Sequence, residues 1–354
     1  MRKRTGTGEF QGGILKLFPV VTRLALALTF AALLPAADTL DIYVIDVEGG
    51  KAMIVRNPSG HTMMVDGGMP NERDLGRVTA AAKTLGIQQF DVYLITHYDV
   101  DHVGNVPAIF AQIPAKLFVD HGPLLPNPGL APINRKAAEA YLAFIPGKQR
   151  LEVKPGDNIF FNDVAITVVA SNEEMISNPL AEGGKPNAAC PATMPEAIRG
   201  DDNAASIGTV WQFGKFRMAD FGDLLQWAEI KLMCPNNPIG AVDLLMVNHH
   251  GLDRSNAPAL VHGLQPKVAI VNNGERKGVS PDVAKTLRSS PGIQDIWQLH
   301  YSTTAGADLN APEQQLANMK AQGCEGQWIK VSASRDGSFT VTNGRNGFAK
   351  AYKP

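Results

Sequence analysis

Short apolar runs with a period of two recur along the chain, separated by turn residues. Residues 40–47 (LDIYVIDV), 52–56 and 61–65 (HTMMV) read as strands, with Gly49-Gly50 and Pro58-Ser59-Gly60 marking the turns between them. Further strands are predicted at 90–96, 115–119, 151–153, 163–169, 205–213, 216–219, 241–247, 266–271 and 293–299. Residues 328–331 and 338–341 read as a closing hairpin. Helical spacing falls between them at 71–85, 103–112, 134–144, 224–233, 280–288 and 312–322, and Gly86 stops the first of these helices. One stretch breaks the rhythm. Residues 170–200 hold few periodic apolar positions and many Asn, Pro, Gly and Ala; a loop of that length is uncommon unless it is functional or pinned, and it is expected as a lid. There is no internal repeat, heptad run or low-complexity tract.

The first 37 residues change the picture. Arg2, Lys3, Arg4, Lys16 and Arg23 precede an uncharged apolar run, LALALTFAALLPAA, of fourteen residues at 24–37. A basic start, a short apolar stretch and a small-residue end form the pattern of a secretory signal peptide, and the run is short for a bilayer span. Cleavage is expected near Ala36 or Ala37; the alternative is an uncleaved anchor. Residues 38–354 then form the mature domain, secreted or periplasmic, with no second long apolar run and so no expected transmembrane span. Of the 354 residues 44% are hydrophobic, enough for a sizeable core. Loss of the five basic residues and Glu9 moves the formal charge from −1 to about −5. A mildly acidic surface gives no bulk attraction for nucleic acid, whose binding rests largely on phosphate contacts. An exported chain can oxidise one cysteine pair; Cys190 and Cys234, each followed by Pro in loop-like sequence, are the expected pair, with Cys324 a free thiol.

The densest chemistry lies at 94–105, LITHYDVDHVGN. A strand breaks into a loop that presents His97, Asp99, Asp101 and His102. A plain polar loop with Asp99 or Asp101 capping a helix is the simpler alternative. Convergence of imidazoles and carboxylates instead suits divalent ions, which take both donor types at about 2.0–2.2 Å. Asp66, at a strand end before two glycines, is placed to accept the outer N–H of a ligand His. Asp223 sits at a strand-to-helix junction, and His249-His250-Gly251 follows a strongly apolar strand. Successive side chains there point apart, so one histidine should face the ions. His121, after another strand, faces the substrate or is a hydrogen-bonded structural histidine.

The ordered motifs DVEGGKAMIV, HTMMVDGG, LITHYDVDHVGN, NAAS, ADFGDL and LLMVNHHG resemble the metallo-β-lactamase superfamily. More narrowly, they resemble the metallohydrolase domain attached to bacterial DNA-uptake competence channels, over about residues 40–291. The resemblance implies an α/β four-layer αβ/βα sandwich with two divalent ions, Zn2+ or Mn2+, at a strand-end edge. His97 and Asp99 would face one ion, Asp101 and His102 the other. Asp223 would bridge them, and His250 or His249 would supply the later histidine, with His250 preferred for its place beside the glycine. Asp101 would also orient the nucleophile. The superfamily often carries a further His before the bridging Asp; here that region reads Asp201-Asp202-Asn203-Ala204-Ala205-Ser206. The His97 side is therefore His-poor and oxygen-rich, which favours harder ions such as manganese.

Such ions lower the pKa of bound water toward about 7, so hydroxide can attack phosphorus or carbonyl carbon. The expected activity is hydrolysis of a phosphoester or phosphodiester, with a small-molecule or phosphodiester substrate. The alternatives are lactam or ester hydrolysis on the same fold, and a non-catalytic, metal-stabilised binding protein.

Overall fold

The computed structural model describes residues 38–354 except 128 and 321, together with the isolated Gly6 and Gly8. The predicted signal peptide, residues 1–37, otherwise lies outside the described residues. Two large sheets carry the chain. In the first sheet, β1 (Thr39–Val44), β2 (Met53–Arg56), β3 (Thr62–Val65), β4 (Phe90–Leu94), β5 (Ala115–Asp120) and β6 (Arg150–Glu152) lie side by side in chain order. The second sheet begins with β7 (Asn158–Phe161) and β8 (Val164–Ser171), and β9 (Glu174–Met175) folds back onto β8. A separate two-stranded ribbon pairs β10 (Lys185–Pro186) with β13 (Asn236–Asn237). The second sheet continues through β11 (Gly208–Phe213), β12 (Phe216–Asp220), β14 (Leu244–Met246), β15 (Val268–Val271), β16 (Asp295–His300) and β17 (Leu316–Asn318). The chain then returns to the first sheet. β18 (Ile329–Ser334) pairs antiparallel with β1, placing Thr39 opposite Ser334, and β19 (Phe339–Asn343) and β20 (Ala349–Tyr352) extend that edge.

Period-two alternation sorts the strand side chains into layers. Met63 and Val65 of β3 face the central core with Leu244 and Met246 of β14 and Val268 and Ile270 of β15. Met64 faces the other way, onto α1 (Glu72–Thr84), α3 (Val106–Gln112) and α4 (Pro132–Phe144), through Val78, Ile109 and Tyr141. Leu245 and Val271 face α5 (Gln226–Met233), α6 (Pro258–Leu264) and α7 (Pro281–Arg288), through Ile230, Leu260 and Leu287. Three apolar interfaces therefore separate four layers: helices, sheet, sheet, helices. The expected α/β four-layer sandwich is the fold observed.

Local departures have identifiable causes. The helix expected at 103–112 is split into α2 (Val100–Val103) and α3. Pro107 at the start of α3 has no N–H for the carbonyl of Val103, so one helix cannot run through. The helix expected at 312–322 is instead a short 3-10 turn, Glu313–Gln315, followed by β17. Parallel pairing of Leu316 with Gln298 and Asn318 with His300 takes the backbone hydrogen bonds a helix would have used. The strand expected to begin at residue 205 begins at Gly208. Residues Asp202–Ala205 form a 3-10 turn capped by the Asp201 side chain. β7 and β20 had no counterpart in the sequence pattern.

The loop at 170–200 is pinned rather than free-standing. β9, the β10–β13 ribbon and a Cys190–Cys234 disulfide tie it to the α5 side, and Asn187 donates to the carbonyls of Met233 and Ala259. The expected cysteine pair is the one formed, and Cys324 is free.

Trp211 is fully buried in the central core, with its indole N–H donating to Thr209 Oγ1 at 2.8 Å. Trp211→Ala is expected to cost about 3–5 kcal/mol, read as a lower denaturant midpoint with an unchanged m-value.

Candidate metal centre

Parallel pairing brings the C-terminal ends of four strands to one edge. β3 and β4 end together, delivering Asp66 and the 95–102 loop; β12 and β14 end together, delivering Asp220, Asp223 and the turn Asn248–Gly251. The loops are stitched across the gap by main-chain bonds. Gly67 N–H donates to the His102 carbonyl, Lys51 N–H to that of Asp101, Ile207 N–H to that of Thr96 and His249 N–H to that of Gly222. Gly50 is required by this closeness, because a Cβ there would stand 2.5 Å from the Asp101 carbonyl oxygen.

Four side chains converge at the centre of the edge. His102 Nε2 lies 3.3 Å from His250 Nε2 and 3.2 Å from Asp223 Oδ2. His250 Nε2 lies 3.1 Å from Asp101 Oδ2 and 3.2 Å from Asp223 Oδ2, and His102 Nε2 lies 3.7 Å from Asp101 Oδ2. Donors arranged tetrahedrally about one ion at 2.0–2.2 Å stand about 3.3–3.6 Å apart. The spacing therefore suits a common cation better than a set of direct hydrogen bonds. Both imidazoles are held from behind. His102 Nδ1 meets Asp66 Oδ2 at 2.9 Å, and Asp66 also accepts the Thr96 N–H and hydroxyl at 2.8 and 2.7 Å. His250 Nδ1 donates to the Asn272 carbonyl at 3.1 Å. Each ring thus presents Nε2 inward, the arrangement by which a supporting acceptor fixes a ligand histidine.

The adjacent histidine lies outside this group. His249 Nε2 is 3.6 Å from Asp223 Oδ2, and its Nδ1 pairs with Ser255 Oγ at 3.1 Å. His249 and His250 both have positive φ, 50° and 56°, a conformation costing non-glycine residues about 1–2 kcal/mol each. The buried Glu229 carboxylate holds the strained turn by accepting from Asn248 Nδ2 and from the main-chain N–H groups of Asn256 and Ala257.

His97 and Asp99 lie on the other side of Asp223. His97 is fully buried and its Nδ1 pairs with Thr96 Oγ1 at 3.2 Å, while its Nε2, 4.0 Å from Asp223 Oδ2, has no hydrogen-bond partner; Asp99 Oδ1 and Asp223 Oδ1 also lack partners. Burial, with the carboxylates of Asp101, Asp202 and Asp223, pushes Asp99 up to about 8. Burial and the charge on His102 press His97 down to about 4. Burial also opposes ionisation of Asp223, but His102 and His250 outweigh it and hold that carboxyl well below its usual range. His121, buried beneath this side, stands 3.4 Å from Asp202 Oδ1 and 4.1 Å, ring to ring, from Tyr98.

Three contributors had no place among the expected site residues. Lys51 is buried and ion-paired to Asp220, beneath Asp66 and Asp223. Lys277, half exposed at the mouth, reaches Asp101 Oδ2 at 2.5 Å. Asp202 enters on the 3-10 turn. Of these, only the acidic pair 201–202 was visible beforehand, as a departure from a motif.

A second cluster, Asp46, Glu48, His300 and Cys324, also gathers donor atoms. There the charges are already matched. Arg77 Nη1 pairs with Asp46 Oδ2 at 2.8 Å, Arg77 and Arg73 hold Glu48, and His300 Nε2 meets Asp46 Oδ1 at 2.7 Å. That cluster is a structural ion-pair network.

Residues 45–192 match the model of the metallo-beta-lactamase superfamily. In sequence the chain is similar to ComE operon protein 3 of Bacillus subtilis (strain 168), at 27% identity over 190 residues. These make up 54% of this chain and 21% of that protein, so the chain spans about a fifth of that relative's length. Among solved structures it is similar to the metallo-beta-lactamase fold protein YhfI from Bacillus subtilis, with TM-score 0.46 and 11% identity, covering 74% of this chain and 96% of the other. It is also similar to Igni18, a metallo hydrolase from Ignicoccus hospitalis KIN4/I, with TM-score 0.41 and 14% identity, covering 72% and 95%. No helix among the described residues is long and apolar enough to cross a membrane.

Two outcomes follow from these charge arrangements. Lys51→Met leaves Asp220 buried without its cation and is expected to cost about 3–5 kcal/mol, measured by urea unfolding. At His300, burial opposes the charged form, but the Asp46 hydrogen bond and charge lift the imidazole from 6.5 to about 9. A raised folded-state pKa contributes stability that is full below the unfolded value and lost as pH rises through the folded one. The stability difference between wild type and His300→Gln is therefore expected to be largest at pH 6.5 and to shrink through pH 9. A difference that stays constant over that window contradicts the assignment.

Proposed function

We propose that the protein is an exported metal-dependent hydrolase of phosphoester or phosphodiester bonds, working with two divalent ions, Mn2+ or Zn2+. The observation that carries this reading is the four-donor group Asp101, His102, Asp223 and His250, spaced as one ion's ligands are spaced and anchored from behind by Asp66 and Asn272. When bound, divalent ions supply Lewis-acid charge that activates water and neutralises a developing oxyanion. The chain's own groups do the rest. Asp66 and the Asn272 carbonyl fix both ligand histidines with Nε2 inward. Burial opposes ionisation of Asp101, but Lys277, His102 and His250 keep it an anion, so its carboxylate accepts and orients a hydrogen of the attacking water. Lys277, half exposed beside it, offers an ammonium to a non-bridging phosphate oxygen at the mouth. This cation, together with the resemblance to the competence-channel domain, favours an anionic phosphate ester over a lactam.

Export is supported by the basic-then-apolar start of the chain and by the Cys190–Cys234 disulfide, which suits an oxidising compartment.

Metal-free protein supplied with Mn2+ or Zn2+ is expected to hydrolyse bis(4-nitrophenyl) phosphate and to lose this activity on chelation. Asp101→Asn is expected to lower kcat/KM about 10²–10⁴-fold, whereas Lys277→Ala mainly raises KM. Metal-loaded protein that turns over a cephalosporin or a lactone but no phosphodiester overturns the substrate class. Metal-loaded protein inert toward all three overturns the hydrolase reading.

A further inference from the structure

A cavity of about 680 Å³ runs along one flank of α1, and none of the metal-centre residues lines it. One wall is the helix-facing side of the first sheet, with Tyr43, Ile45 and Trp328. The other is α1 itself, with Ala80, Ala81 and Leu85. Arg73, in the first turn of α1, and Leu85, at its C-cap, both border the space. At 1.5 Å per residue the cavity therefore extends about 18 Å along the helix.

The helix keeps this flank open by what it lacks. Gly76 lies inside α1, and a Cβ there would meet nothing within 4 Å. Glycine is a poor helix former, and neither a turn nor a close contact of the fold calls for it at this position. Gly76 and Ala80, one turn apart, also border a second cavity of about 500 Å³ on the other flank of α1. Two missing side chains thus lower the helix surface between the cavities, so that an occupant can lie against the helix backbone.

Charge gives the space a polarity. Arg73, Arg77 and Lys330 line it, whereas the acids they pair with, Asp74, Glu48, Asp46 and Asp41, do not. Glu325, exposed, is the one acid in the lining. Arg77 is fully used by Asp46, Glu48 and the Cys324 carbonyl. Arg73 is not. Its Nε meets Asp74 at 2.7 Å and its Nη1 meets Glu48 at 2.9 Å, which leaves Nη2 without a partner among the described residues. Lys330 Nζ stands 5.1 Å from the Tyr43 ring, and Tyr43 meets Trp328 edge-on at 5.9 Å, so the facing wall is aromatic.

We propose that this cavity binds a single-chain amphiphile with one anionic head, a long-chain carboxylate. The head sits on Arg73 Nη2 and the acyl chain runs past Ala80 and Ala81 to Leu85, against Ile45, Tyr43 and Trp328. One free guanidinium nitrogen suits a small, singly charged head, and each methylene taken out of water along the apolar walls adds affinity. Walls on two sides suit one chain rather than a bilayer surface. The site is independent of the hydrolase reading, because it shares no residue with the metal centre.

Trp328 supplies the readout. Of the four tryptophans, Trp211 and Trp297 are fully buried and Trp227 is 5% exposed, whereas Trp328 is half-buried at the cavity wall. Laurate, kept below its micelle concentration, is titrated into the full chain and followed by tryptophan emission and by calorimetry. One-to-one, saturable binding is expected, with an emission shift that Trp328→Phe abolishes. Arg73→Gln, at a side chain 42% exposed, should weaken laurate about tenfold or more and leave the affinity for uncharged dodecanol unchanged. Gly76→Leu should block laurate while raising the denaturant midpoint, since leucine favours helix where glycine does not. The proposal is overturned by laurate binding at wild-type affinity in Gly76→Leu, by equal affinity for laurate and dodecanol in wild type, or by no saturable binding of laurate. Binding to anionic phosphatidylglycerol vesicles without binding of free laurate overturns it as well.

Discussion

Buried negative charge is the constraint from which the arrangement at the strand ends follows. Asp66, Asp99, Asp101, Asp202, Asp220 and Asp223 crowd one edge of the sandwich, and carboxylates out of water persist as anions only where something positive meets them. The protein meets part of this demand itself. Lys51 answers Asp220 from beneath, Lys277 answers Asp101 from the mouth, and His102 lies between Asp66 and Asp223. On the His97 side no lysine or arginine among the described residues pairs with Asp99 or Asp202, so burial and the neighbouring carboxylates lift Asp99, whereas Lys277, His102 and His250 keep Asp101 ionised.

Holding such a site requires rigid neighbours, and the rigidity comes from the sheets. β3 with β4 and β12 with β14 are parallel pairs buried on both faces, so their ends are fixed by the core rather than by the loops they release. Where a loop must depart from favourable geometry, a dedicated support appears. The paired left-handed conformations of His249 and His250 are spanned by Glu229, whose carboxylate gathers donors from both sides of the turn. Gly222 passes so close to Thr96 and Ser206 that a side chain there would meet both at 3.0 Å.

What the sequence makes legible is local. Asp66, the 97–102 cluster, Asp223 and the His249-His250 pair each end a recognisable apolar run before glycine or a helix, so their placement at strand ends can be read off the pattern. Lys51 and Lys277 cannot be read that way. Their partners lie 169 and 176 residues away, and neither carries a local pattern that distinguishes it from a solvated lysine. Asp202 is intermediate: the missing histidine marks the place, but only the 3-10 turn shows which of two adjacent acids points inward. The strand β17 was hidden for a different reason. Its residues are apolar at helical spacing, and only the open edge of β16 decides that they pair. The split between α2 and α3, by contrast, was present in the sequence as Pro107.

The pairing of β1 with β18 carries a consequence for how the molecule is made. Thr39 lies opposite Ser334, at nearly the full length of the domain. Contacts of such sequence separation raise contact order and slow folding, because loop closure must come before they form. The first sheet has an edge that stays open until the last strands of the chain arrive. Until then β1 presents an unpaired backbone flank, a surface that invites association with other strands. The domain therefore seals its N-terminal half with its C-terminal residues, and a nascent or truncated chain lacking β18 is an incomplete sheet rather than a smaller domain.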